Sequence, residues 1–191
     1  MYRKIKQWEK VSFLFFAFLM VMTIALSIAR AIENNIELQK TIADFSYLGV
    51  VLLGVIAGLN VIIPLPAGSF APAFVVAGLW MPFIIIALAI GTIIADYIGY
   101  AFGRWSRTSI YEKYPKHLIK YENLISRHPS WLLPVIFLWA AFAPFPNEAI
   151  ILPLAVLGIH FRLMLLPLVL GGIIHQTIFS YGAQNLYSWW F

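Results

Sequence analysis

Hydrophobic runs broken by short polar stretches set the outline of this chain. An apolar run from Val11 to Ala29 follows Arg3, Lys4, Lys6 and Lys10. At about 19 residues it can cross roughly 30 Å of hydrocarbon. It is longer than the ~7–15-residue core of a signal peptide. A retained N-terminal transmembrane helix is therefore expected, although Ala29-Arg30-Ala31 resembles a cleavage site. Residues 30–46 are polar and predict a short helix or loop at the outer surface. The run Tyr47 to Ile63 then meets Pro64-Leu65-Pro66-Ala67-Gly68. A short apolar run, Ser69 to Leu79, follows, and Pro82 to Phe102 is long enough to span. After a basic stretch the pattern restarts. Trp131 to Ala143 runs into Pro144-Phe145-Pro146-Asn147-Glu148, Ala149 to Ile159 is the partner short run, and Leu163 to Leu186 can span.

The second pattern copies the first. Residues 64–104 align with 144–184 without a gap: Pro64 and Pro66 fall on Pro144 and Pro146, Gly78 on Gly158, Gly91 on Gly171, and Asp96 on Gln176. Proline removes a backbone donor and clashes with the preceding turn, so no straight helix passes through either P-x-P segment. The run after each break is too short to cross alone. The expected solution is a re-entrant hairpin, whose non-helical tip is tolerated only under protein cover or beside a wet cavity. Each half is then one hairpin plus one transmembrane helix. An odd number of crossings per half makes the repeat inverted, an arrangement used by transporters. The fold class expected is all-α integral membrane, divided into an N-terminal helix and outer polar segment (1–46), a first repeat (47–103), a basic amphipathic cytoplasmic linker (104–130) and a second repeat with an aromatic C-terminus (131–191).

Composition agrees. The chain is 62% hydrophobic and 11% charged, against about 25% charged in soluble domains. It has no cysteine, which rules out disulfides, thiolate metal sites and cysteine nucleophiles. The net charge of +5 comes largely from two clusters, the N-terminus and residues 104–127. Under the positive-inside rule both are cytoplasmic. The expected location is the plasma (inner) membrane, multi-pass, with the N-terminus cytoplasmic. Tyr187, Trp189, Trp190 and Phe191 read as an interfacial anchor, and Trp80 and Trp131 fit interfacial hairpin ends.

Intramembrane ionisable residues cost roughly 2.5–3.5 kcal/mol on insertion scales, so they carry a role or a partner. Glu148 directly follows the second P-x-P break. It reads as a proton-coupling or cation-binding carboxylate at a hairpin tip, and it also fits an acid at the positive end of the helix that starts there. Asp96 reads as a second proton-coupling group, or as a partner of Arg104 near the cytoplasmic end. His175, beside Gln176, is a candidate relay because histidine titrates near neutrality. Asn60, Ser69 and Asn147 can satisfy unpaired backbone at the breaks or contact substrate, and Arg162 with His160 suits a lipid headgroup. The amides that open the short helices after each break attract anionic groups. Pro64, Pro66, Pro144, Pro146, Gly78, Gly158 and Arg104 are expected to be structural. Gly54/Gly58 and Gly99/Gly103 form small faces suited to helix packing. No metal-ligand cluster, placeable Ser-His-Asp set or P-loop occurs, so no enzyme and no cofactor is expected.

Pro64-Leu65-Pro66 leading to Ala77-Gly78, the stretch Gly91 to Arg104 (GTIIADYIGYAFGR), and Pro144-Phe145-Pro146-Asn147-Glu148 leading to Leu157-Gly158 together resemble the DedA/VTT superfamily over residues 47–186. The middle stretch is similar to that family's G-x-x-x-G-D/N-x-x-x-Y-x-x-G-R pattern. The resemblance implies re-entrant hairpins in inverted repeats, and movement of polyprenyl-phosphate carriers or phospholipids between leaflets, proton-linked in some members. This chain departs from the pattern as a divergent member would. Gly68 stands where many members carry an acid, and the arginine pair many carry around the second hairpin is missing, Arg162 coming only later.

The function expected is a transporter or scramblase of a lipid with an anionic headgroup, with Glu148 and Asp96 changing protonation and Ser69, Asn147 and hairpin amides on the phosphate. The alternatives are a small-solute or ion transporter on the same fold and a non-transporting assembly protein. Membrane lipids are the expected partners, with protons and a second copy of the chain as further candidates and no nucleic acid.

Overall fold

The computed structural model describes residues 2–59, 66–115, 118, 119, 122, 125, 129–143 and 145–190, with side chains for all of these except 2–15, 17, 18, 113, 129 and 130. Asn60, Pro64, Pro144 and much of the 104–130 linker lie outside the described residues. Among the described residues every regular element is helical. They are α1 (Tyr2–Glu33), α2 (Ile36–Gly58), a 3-10 turn η1 (Ala67–Phe70), α3 (Ala71–Val76), α4 (Met81–Lys113), α5 (Pro129–Phe142), α6 (Glu148–Val156) and α7 (Phe161–Trp190). Three of the helices, α2, α4 and α7, are long and apolar enough to cross a membrane. The chain is a membrane protein, and its many exposed isoleucines, leucines and phenylalanines are what a lipid-facing surface requires.

The breaks fall where the residues dictate. Asn35 caps α2 by accepting from the Glu37 and Leu38 amides at 3.0 and 3.2 Å, the usual use of an N-cap oxygen. Within α2 the helix is interrupted at Ser46 (φ 51°, ψ −150°), a conformation that strains any residue with a Cβ. The polar 36–45 stretch is thereby set off from the apolar run at Tyr47. Gly78 (φ +92°) and Gly158 (φ +87°) end α3 and α6. In each case the residue after the glycine donates back five positions, Leu79 to the Phe74 carbonyl and Ile159 to the Leu154 carbonyl, both at 3.0 Å. This glycine stop needs the left-handed conformation.

One boundary differs from expectation. The spanning helix expected to end at Phe102 continues to Lys113 and carries Arg104 and Arg107 with it. Arginine and lysine are good helix formers, and no breaker comes until Pro115, which disfavours helix at Tyr114 before it.

The helices pair by halves. α2 packs along α4, and α5 packs along α7. Glycines set both crossings: a Cβ on Gly91 would lie 2.3 Å from the Val51 carbonyl oxygen, and one on Gly171 would lie 2.8 Å from the Phe137 carbonyl oxygen. Gly54 and Gly58 also face α4, so the small face predicted for α2 is used for packing. The short helices pack on the long helix of the other pair. η1 and α3 pack on α7, while α6 packs on α4. Tyr47 of α2 meets the start of α4, the Trp80 amide donating to the Tyr47 hydroxyl at 3.1 Å. α1 lies against η1 and α3, through a cluster of Leu26, Ala29 and Ile32 with Ala73 and Tyr187.

Candidate functional site

The docking of α6 on α4 brings three of the predicted site residues together. Asp96 and Gly99 are three apart on α4 and share one face. The start of α6 docks on that face. Asn147, just before α6, donates from Nδ2 to the Asp96 Oδ2 at 3.1 Å. Glu148, the first residue of α6, lies over Gly99, where an added Cβ would be 3.3 Å from the Glu148 Cγ. A turn further on, Gly103 accommodates Leu152 and Ala155 of α6. The glycines at 99 and 103 thus form the socket for the second hairpin.

Both acids are buried, each only 3% exposed. Both lie at the same contact of α6 on α4. Neither Glu148 oxygen has a hydrogen-bond partner at good geometry among the described residues. The partner that holds Asp96 is Asn147 rather than Arg104, which is exposed on the continuation of α4.

The first hairpin makes the corresponding contact on α7 with different chemistry. A Cβ on Gly68 would meet the Phe179 Cβ at 2.8 Å, the Ser180 nitrogen at 2.9 Å and the Ser180 Oγ at 3.0 Å. Only glycine fits there, which explains the missing acid in physical terms. The Ser69 hydroxyl, fully buried, donates to the Pro66 carbonyl and so braces the turn. Pro66 is the N-cap of η1, and Pro146 accepts from the Ala149 amide at 3.1 Å, so the second proline of each P-x-P shapes its tip.

The remaining predicted residues lie apart from the acid pair or outside the description. His175 stacks on Phe179 (4.5 Å between ring centroids) and reaches the Ala141 backbone. Arg162 and His160 are exposed at the start of α7. A cavity of about 520 Å³ lies elsewhere. It is an apolar groove lined by Phe102, Gly103, Ile110, Leu118 and Leu152 among others. Near it the Arg107 guanidinium lies against Gly158, at the end of α6, and pairs with Glu122 at 2.8 Å. Among the described residues no three His, Asp or Glu side chains gather as metal ligands.

Two features escaped the sequence reading. The Tyr187 hydroxyl donates to Glu33 at 2.5 Å, tying the end of α7 to the end of α1. Ser180 and Gln184 continue the line of Gln176 along α7 at intervals of four. That spacing is visible in the sequence and was the signal available.

Residues 69–185 match the family model of the VTT domain. No curated protein matches the chain, and no solved structure does. The match takes in α3, α4, α5, α6 and the acid pair, with the end of η1 and most of α7. This membrane protein belongs to the VTT-domain (DedA) family.

Proposed function

We propose that the chain is a proton-coupled transporter or scramblase that moves a lipid with an anionic phosphate headgroup across the plasma (inner) membrane. In this reading the halves form an inverted repeat, each hairpin re-enters the bilayer, and the N-terminus and basic linker are cytoplasmic. The meeting of the Tyr47 and Trp80 ends supports a hairpin that returns to its own side. The reciprocal docking of the second arms supports paired halves.

The observation that carries the reading is the pair of buried acids, one on α4 of the first half and one at the tip of the second hairpin. Ionised, the pair repels a phosphate. Protonated, each carboxyl gains an O–H donor that a phosphate oxygen can accept. Headgroup binding and proton uptake therefore go together. Asn147 and the hairpin amides add further donors. Ser69 joins them only if its bond to Pro66 opens. Arg162 meets headgroups at the surface, His175 relays protons, and acyl chains stay in the bilayer. No step in this scheme is a covalent reaction.

The test is reconstitution in liposomes with a fluorescent phospholipid or polyprenyl phosphate. Flipping should respond to a pH gradient, and Glu148→Gln and Asp96→Asn should each lower it and flatten its pH response. Identical low flipping by wild type and Glu148→Gln would sink the proposal. Paired carboxylates also suit a small cation. Uptake of a small solute or ion driven by a pH gradient, with no lipid movement, would select that second reading.

A further inference from the structure

One face of α7 carries a line of polar groups that the acid pair does not use. Gln176, Ser180 and Gln184 follow one another at i, i+4 and i+8, so they stack on a single side of the helix. Gln176 is 4% exposed and Ser180 is fully buried. Among the described residues, the Gln176 Oε1, the Ser180 Oγ and the Gln184 Oε1 all lack a hydrogen-bond partner. Buried polar atoms are almost always hydrogen-bonded, to protein or to ordered water. Three in a row on one helix face are hard to reconcile with a dry interface.

α4, α5, η1, α3 and α1 all pack on α7. On η1 and α3, Ala67, Gly68, Ser69, Ala71, Pro72 and Ala73 are all buried. Gly68 lies against Ser180. The neighbouring hydroxyl, on Ser69, is already donated to Pro66. Successive groups on the line are about 6 Å apart along the axis (four residues at ~1.5 Å each), a gap that one or two water molecules bridge. Towards the end of α7 the line reaches Tyr187, whose hydroxyl donates to Glu33, which also pairs with Arg30 at 2.6 Å. Both side chains of that ion pair are partly open to the outside, at 41% and 42% exposure.

We propose that Gln176, Ser180 and Gln184 line a narrow file of water along α7, which opens at the Tyr187–Glu33–Arg30 cluster. Its ligand is water and the protons that water carries. Each amide and hydroxyl both donates and accepts, so the line holds a continuous hydrogen-bonded chain. The file is a property of α7 and stands whether or not the cargo is a lipid.

The chain has no cysteine, which makes the test direct. Gln176→Cys, Ser180→Cys and Gln184→Cys are prepared singly, with Ile178→Cys and Tyr181→Cys as controls at the same depth on the exposed face of α7. Each protein, checked for a monodisperse gel-filtration profile, is reconstituted in liposomes and treated with silver ion. Unreacted thiol is counted by mass spectrometry. The reacting species is the thiolate, which needs water, so the three line positions should react roughly tenfold or more faster than the controls. Equal rates at all five positions, or faster reaction at Ile178→Cys and Tyr181→Cys, would overturn the proposal. Gln184 is only half-buried, so its variant still decides the outcome if Ser180→Cys fails to fold. Lipid flipping is read separately, and its failure leaves this result unaffected.

Discussion

Gly171 and Gly172 are neighbours on α7 and both are buried, yet alanine at the two positions should act in opposite directions. A Cβ on Gly171 would come within 2.7 Å of the Ala140 Cβ, 2.8 Å of the Phe137 carbonyl oxygen and 3.1 Å of the Ala141 nitrogen. Two of these atoms are backbone and cannot swing aside. To restore contacts of about 3.5 Å, α5 and α7 must part by roughly 0.5–1 Å, a gap that forfeits a quarter to a half of each contact's attraction. Overpacking of this kind costs about 1–3 kcal/mol. Alanine's better helix preference returns up to ~1 kcal/mol, which leaves a net loss of about 1–2 kcal/mol. A Cβ on Gly172 meets nothing within 4 Å. Only the helix preference acts there, and the variant should gain up to ~1 kcal/mol. Thermal unfolding in one detergent, followed by tryptophan fluorescence, reads both. At roughly 2–4 °C per kcal/mol for a chain of this size, the variants should differ by several degrees. Gly171→Ala melting at or above Gly172→Ala would refute the close crossing of α5 on α7.

Three further outcomes follow from named contacts. Gly78→Ala meets no neighbour within 4 Å but keeps φ +92°, so it should lose about 1–2 kcal/mol from backbone strain alone, and the melting temperature checks it. Asn147→Leu removes the partner of the buried Asp96 and should cost about 1–3 kcal/mol, whereas Asn185→Leu, on an exposed side chain, should leave the melting temperature nearly unchanged. Glu33 sits below its ordinary value of 4.5, held there by the Tyr187 hydroxyl first and by Arg30 second. The sign follows from its lowered folded value: the stability it adds is fully present above that ordinary value and is lost as pH falls through the lower one. Unfolding scans from pH 6 downward should therefore show an acid limb that Glu33→Gln weakens, and an unchanged limb would contradict the role given to the Tyr187–Glu33 contact.

Breaks in the chain were easier to read than meetings between distant parts. The stops at Gly78 and Gly158 follow from glycine chemistry alone, and Asp96 and Glu148 stood out as charges in apolar runs. That they meet was not readable. The contact depends on α6 leaving its own half to dock on α4, and hydrophobic periodicity marks a buried face without naming its partner. The same limit hid Tyr187–Glu33, whose residues lie at opposite ends of the sequence. Asp96 drew attention to Arg104, two turns along the helix, because local spacing is what a sequence displays. The Ser46 interruption carried no glycine or proline to announce it. The continuation of α4 through Arg104 and Arg107 was hidden for another reason: a polarity change looks like a boundary, although the backbone does not stop there.

The seating of Gly68 against Ser180 has a consequence for biosynthesis. The ribosome makes Gly68 more than a hundred residues before it makes the Ser180 that receives it. Until α7 arrives, the nascent protein holds a tip with no socket, and the cluster of α1 with Ala73 lacks Tyr187. The last helix therefore acts as a keystone. A chain cut before α7 should be degraded as an assembly intermediate, and α7 supplied as a separate peptide is the piece able to complete it.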